Sequence, residues 1–188
     1  MNNKITACSL LILGITTGFS SPTEPVKVKL FATRETSTIS YSGNHPFHNW
    51  KAVSRDINCV ITFNELTRAV ETVAASAKIL SFDSRNTNRD SHALEVLDAL
   101  IYPKVNFTSS RIVQKDNNLI INGYLNLHGT TRPVVMQAKL INGSGDKIRI
   151  EGSFPVKLKD HKIKPPALLG LRIAEEIVVS FDFIFNQN

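Results

Sequence analysis

The five histidines are the residues of this 188-residue chain best suited to metal or acid–base chemistry. His45 and His48 stand three apart, a spacing at which two imidazoles share a metal only on a helix or a tight loop, and Pro46 between them makes the segment a loop. His92 and His128 are remote in sequence and would meet only through the fold. Nothing completes a ligand set: the chain has no HExxH, no CxxC pair and no carboxylate cluster at ligand spacing. It also lacks a G-x-S-x-G elbow, a recognisable triad and a phosphate loop. No catalytic residue, metal ligand or cofactor is assigned on these grounds, and the histidines are expected to pack and hydrogen-bond. Cys59 alternates with Ile57, Ile61 and Phe63 along one strand face, the setting of a small buried apolar residue rather than a reactive thiol.

The background to these residues is an ordinary globular composition, 42% hydrophobic and 20% charged. The length fits one domain with a real core and excludes separate nucleotide and substrate domains. No run approaches the ~20 apolar residues of a spanning helix. Residues 1–20 read as a signal peptide: a polar start with Lys4, a short apolar stretch from Ala7 to Ile15, then small residues at Gly18 and Ser20. The apolar stretch follows Cys8 instead of preceding it, which is the wrong order for a lipidation site. Removal of residues 1–20 takes Cys8 away and leaves Cys59 without a disulfide partner. The domain is placed at 21–188 and the protein outside the cytoplasm.

Most of the remaining chain alternates with period two. Ile177, Val179, Phe181, Phe183 and Phe185 form one face of a strand whose other face is more polar. Val26 to Leu30, Val105 to Phe107, Val134 to Leu140 and Ile148 to Ile150 repeat the pattern. Turns are signalled at Lys115–Asn118, at Asn142–Asp146 and from Gly129 to Pro133. Asn122-Gly123 looks like a hairpin turn, but that reading leaves only Leu119–Ile121 as a strand. Gly123 is therefore read as a bulge or bend inside one long strand, Leu119–Leu127. One helix, Ser91 to Ile101, interrupts the strands, with Asp90 or Ser91 as its cap and Pro103 beyond its end. The fold class is all-β. Serial hairpins favour an antiparallel eight-stranded barrel, whose interior fits side chains or one small ligand.

Three blocks carry a family resemblance: Asn86 to Ala99 with Tyr102 to Ser109, Ile121 to Val134, and Tyr41 to Trp50. In order and spacing they resemble the YceI-like family, and the likeness runs from about Val26 to Phe185. Tyr124 and Asn126 stand where the family usually has an acidic residue and a threonine. The resemblance implies an extended lipocalin-like barrel with an apolar channel that holds a polyisoprenoid or a similar lipid-like amphiphile in the periplasm. The residues assigned to the channel are Phe107, Leu127, Met136, Val179, Phe181 and Phe183, the inward positions of the strongest strands. Two alternatives stay open: a redox or metal-assisted accessory enzyme acting on an isoprenoid lipid through His128 or the His45–His48 pair, and a structural or stress-response protein whose barrel is filled by these same side chains.

A polar end of such a ligand would need donors at a mouth. Arg89 and His92 flank the helix start, Arg132 sits at a corner, and the backbone N–H groups of Ser91 to Ala93 would face an anion. The rival reading is structural, with Asp90 capping the helix and Arg89 paired to Asp83 or Asp98. The net charge of +6 gathers partly in Lys157, Lys159, Lys162 and Lys164, which lack the interleaved aromatics of a nucleic-acid surface. Nucleic acid is not expected as a partner. Weak contact with an anionic membrane surface, and pairing of two copies as a homodimer, are left open.

Overall fold

The computed structural model describes residues 26–45, 48–142, 146–164, 167–168, 171–172 and 175–187. The expected signal segment lies outside the described residues, as does most of the apolar loop Pro165 to Leu171.

The strands are β1 (Lys27–Phe31), β2 (Thr38–His45), β3 (His48–Ser54), β4 (Ile57–Asn64), β5 (Ala69–Lys78), β6 (Lys104–Lys115), β7 (Asn118–Leu127), β8 (Thr130–Asn142), β9 (Lys147–Lys157), β10 (Ala167–Leu168), β11 (Leu171–Arg172) and β12 (Glu176–Asn186). One helix, α1 (Thr87–Val96), and two short 3₁₀ turns, Ile79–Ser81 and Leu158–His161, lie at one end. Ten strands make a single antiparallel sheet in the order β1-β4-β5-β6-β7-β8-β9-β12-β2-β3, and β10 pairs only with β11. The expected eight matches the strands of the closed ring, and the sheet carries two more. The ring itself explains the difference: Ala32, just past β1, bridges Phe185 of β12, and the Thr33 N–H donates to the Ile184 carbonyl at 2.8 Å. That bridge closes β1, β4–β9 and β12 into a barrel, and the β2–β3 hairpin continues the wall along β12.

The alternation read from the sequence is the alternation of the walls. Ile57, Cys59, Ile61 and Phe63 are all buried, as are Phe181, Phe183 and Phe185. β7 runs unbroken through Gly123, and the irregularity lies opposite it, where β6 shifts register between Ser109 and Arg111. The corner expected from Gly129 to Pro133 is tighter than that. His128 and Gly129, both with positive φ, make a two-residue turn between Leu127 and Thr130, and Pro133 already lies within β8.

The helix starts earlier than its apolar spacing indicates. Asn86 caps it, its side-chain oxygen accepting from the Arg89 N–H at 3.0 Å, and the helix ends at Val96 with a turn to Tyr102. Its first turn is polar, so hydrophobic periodicity has nothing to mark there until Ala93. Asp90 is not the cap: its carboxylate accepts from the Ser84 N–H at 3.1 Å, tying the helix to the preceding loop. The N–H groups of Ser91 to Ala93 lie inside α1 and are not free for an anion.

Inside the ring two levels differ. Toward the end where β4 joins β5, β6 joins β7 and β8 joins β9, Phe63, Leu119, Leu140 and Ile148 are essentially sealed within the buried core, and Phe185, equally sealed, borders the open level. Toward the end that carries α1, the inward positions include Cys59, Ala75, Ala77, Gly123 and Gly152, and the axis is open.

Candidate functional site

The open level is a cavity of about 590 Å³. Its walls are Ile57, Cys59 and Ile61 from β4, Val73, Ala75 and Ala77 from β5, Phe107 from β6, and Ile121, Leu125 and Leu127 from β7. Met136 from β8, Ile150, Phe154 and Val156 from β9, and Ile177, Val179, Phe181 and Phe183 from β12 complete them. Most of the polar lining residues lie at α1, where Asn86, Asn88 and His92 are exposed, and Ser40, Ser76 and Asn106 add to them from β2, β5 and β6. The mouth is therefore at the helix, and the packed level closes the other end.

Two glycines explain why the large residues leave this space open. Phe181 pairs across the sheet with Gly152, and a Cβ on that glycine would lie 2.7 Å from the Phe181 Cζ. A Cβ on Gly123 would lie 2.5 Å from the Phe107 Cζ. Each ring thus occupies the place of a missing side chain and lies against the wall instead of crossing the axis. Phe183 stacks on Phe181 with ring centres 5.3 Å apart.

An aromatic collar narrows the mouth. Tyr41 meets Trp50 edge-on at 5.3 Å and Phe82 at 5.1 Å, and all three line the cavity. Trp50 stands across from Gly43, where a Cβ would lie 2.7 Å from its ring. Arg89 places its guanidinium 5.8 Å from the centre of the Trp50 ring. Burial pushes the Tyr41 phenol up to about 12, with the Asp90 carboxylate adding to the effect, so it stays a protonated donor at neutral pH. Burial alone pushes the Cys59 thiol up to about 12, which keeps it an inert part of the wall.

The structure places Phe107, Leu127, Met136, Val179, Phe181 and Phe183 on the cavity wall, and Arg89 and His92 at its mouth. Arg132 is not with them. It lies outside the cavity, where its Nε donates to the Asp160 carbonyl at 2.8 Å. Nor does Arg89 pair with Asp83 or Asp98 in the way the structural reading had it; its recorded contact is the Trp50 ring. Asp98 instead meets His128 Nε2 at 2.8 Å, and His128 Nδ1 lies 3.1 Å from the His161 carbonyl. His161 is buried, with Nδ1 3.0 Å from the Thr130 carbonyl. These two histidines brace the β7–β8 turn and the Leu158–His161 turn, away from the cavity wall. His45 and His48 pair across the β2–β3 hairpin, and their side chains lie outside the described residues. Among the described residues no three His, Cys, Asp or Glu side chains group as metal ligands.

Sequence reasoning missed Tyr41, Trp50 and Phe82 as a collar. The Gly43–Trp50 pair was the available signal, because a glycine across from a large ring marks a close approach.

The family model for the YceI-like domain matches residues 32–185 of this chain. The protein YceI of Escherichia coli O6:H1 is 32% identical over 144 residues, covering 67% of this chain and 75% of the relative. Among solved structures, BcnA of Burkholderia cenocepacia superposes with a TM-score of 0.74 at 17% identity, covering 81% of this chain and 98% of BcnA. A polyisoprenoid binding domain from Saccharophagus degradans, implicated in plant cell wall breakdown, superposes with a TM-score of 0.67 at 12% identity, covering 85% of this chain and 98% of that domain. These two structural likenesses concern the fold.

Proposed function

We propose, from the premise that this chain belongs to the YceI-like family, that it is an exported lipid-binding protein. It holds a polyisoprenoid or a similar amphiphile in the barrel cavity and performs no covalent chemistry on it. The observation that carries the reading is the cavity itself: about 590 Å³, walled mostly by aliphatic and phenylalanine side chains, with most of its polar lining residues at α1. That volume falls within the roughly 300–1,000 Å³ of small-molecule sites. A hydrocarbon chain moved from water to such a wall gains about 0.8 kcal/mol per buried CH₂. Dispersion contacts and lost hydration do the binding, and no catalytic group is needed. The polyisoprenoid-binding domain that shares this fold supports the same ligand class.

The polar end of the ligand stays at the collar. Tyr41 supplies a neutral O–H donor, Arg89 a permanent cation and His92 a further polar edge. Export to the periplasm rests on the signal-like pattern of residues 1–20.

Native mass spectrometry of gently purified protein tests the reading. The expected spectrum shows the chain with one lipid-like mass bound, and Phe181→Asp, which puts a charge on the wall, removes that mass. A spectrum of bare chain, before and after incubation with a prenyl alcohol, overturns it.

A further inference from the structure

An apolar cavity poses a delivery problem, because its ligands are themselves insoluble and reside in bilayers. Among the described residues, the barest aliphatic side chains lie at the end of the barrel that carries the mouth. Leu80 is 75% exposed, Ile101 is 70% exposed and Leu100 is exposed to the full extent of a free side chain at 101%. Leu80 belongs to the 3₁₀ turn after β5, and Leu100 and Ile101 to the turn after α1. The two turns are tied together, since the Ile79 N–H donates to the Pro103 carbonyl at 2.9 Å. Ile79, next to Leu80, and Leu97, three residues before Leu100, turn the other way and line the cavity. The same two segments therefore form the cavity rim on one side and an unsatisfied aliphatic tip on the other.

Charge around the tip is mixed, with Glu95 and Asp98 exposed on the α1 side and lysines on the strand side, and it is the strand side that complements an anionic surface. Lys78 and Lys104 pair in register on β5 and β6, directly behind it. Lys104 is exposed, and Lys78 is half exposed beside Asp56 at 2.8 Å. Lysines set one layer behind exposed aliphatics match a membrane interface, where the aliphatics enter the acyl boundary and the ammonium groups meet anionic headgroups. Without Lys4, which leaves with the expected signal segment, the net charge is +5 and acts in the same direction.

We propose that Leu80, Leu100 and Ile101 form a tip that docks on an anionic lipid bilayer and sets the cavity mouth against the membrane, so that ligand passes between bilayer and barrel without crossing water. The inference rests on the lipid-binding reading for its purpose, but the docking itself is separately measurable.

The test uses vesicles of phosphatidylcholine with phosphatidylglycerol and the variant L80D/L100D/I101D, with L80A/L100A/I101A as a milder companion. All three positions are exposed, and circular dichroism verifies the fold. The native chain is expected to float with the vesicles and to lose affinity as phosphatidylglycerol is diluted out or salt is raised. The aspartate variant is expected to bind at least about tenfold more weakly and the alanine variant to fall between. Uptake of a dansyl-labelled fatty chain from detergent-free solution stays unchanged in both variants, whereas its uptake from vesicles slows. Equal flotation of native and aspartate chains overturns the proposal, as does absence of flotation by the native chain. A change of oligomeric state in the variants with vesicle binding intact assigns the tip to a second copy of the chain and also overturns it. Failure of the native chain to take up the dansyl chain in solution sinks the lipid-binding reading instead, and flotation reports on docking regardless.

Discussion

The two levels of the barrel are built from the same strands with the same alternation, yet one is packed and the other hollow. At the packed level the inward positions are large and sealed: Phe63, Leu119, Leu140 and Ile148, with Phe185 at the border with the cavity. At the hollow level the strands carry Cys59, Ala75, Ala77, Gly123 and Gly152, and the big residues left, Phe107 and Phe181, lie over glycines. The contrast shows that closing a barrel does not decide whether it encloses a core or a site. The side-chain volume at each inward position decides, together with where glycine lets a ring lie flat. The packed level supplies the stability that permits the other level to stay open.

The largest expected effect separates the levels by truncation. Phe63→Ala should cost about 3–5 kcal/mol, read from the chemical denaturation midpoint, because its neighbours on every side cannot collapse into the gap. Phe181→Ala, whose ring already borders empty space, should cost less than about half as much in the ligand-free protein. Equal losses would erase the distinction. Enlargement should split the levels the other way. Leu140→Phe, at a sealed position of the packed level, is expected to destabilise by about 1–3 kcal/mol. Ala75→Phe, which projects into the cavity, is expected to leave stability within about 0.5 kcal/mol and to abolish ligand uptake. Destabilisation by both alike would mean that the upper level is as full as the lower.

A smaller effect sharpens the glycine account. Gly152→Ala sets a methyl against the Phe181 ring and should cost about 1 kcal/mol or more. Phe181→Ala in the same chain should recover part of that cost in a double-mutant cycle, and strict additivity would separate the two residues. The smallest effect is alkaline. Cys59 and Tyr41 are both raised to about 12, from 9.0 and 10.0, so the unfolded chain ionises first as pH climbs. Their stabilising contribution is whole below pH 9 and declines between pH 9 and 12. Cys59→Ala should shallow that decline in denaturation midpoints taken across the range; an identical slope would show that the thiol is not held dry.

Much of this was legible in the sequence. Period two along β4 and β12 fixes which residues face inward, and that parity assigned Phe107, Leu127, Met136, Val179, Phe181 and Phe183 to the side where the structure has them. Gly123 was recognisable as something other than a turn, because a hairpin there starves its own strand. Other features depend on pairing between distant segments. Nothing local announces that the β2–β3 hairpin adds to β12 beside the eight-stranded ring, so the two additional strands of the sheet are not legible in the sequence. The flat seat of Phe181 depends on the register between β9 and β12, and the collar on bringing Phe82 to the β2–β3 hairpin. Arg132 illustrates the converse error. A basic residue near a corner looks available, but the turn after β9 folds back and its Asp160 carbonyl takes up the guanidinium.

The central claim is that the hollow level takes up an apolar chain from water. Calorimetric titration of the protein with farnesol, repeated at several temperatures, tests it most directly. The account predicts one molecule bound per chain with a negative heat-capacity change from apolar burial, and loss of that binding in Ala75→Phe. Absence of binding, or binding with the same heat-capacity change in Ala75→Phe as in the native chain, would contradict it.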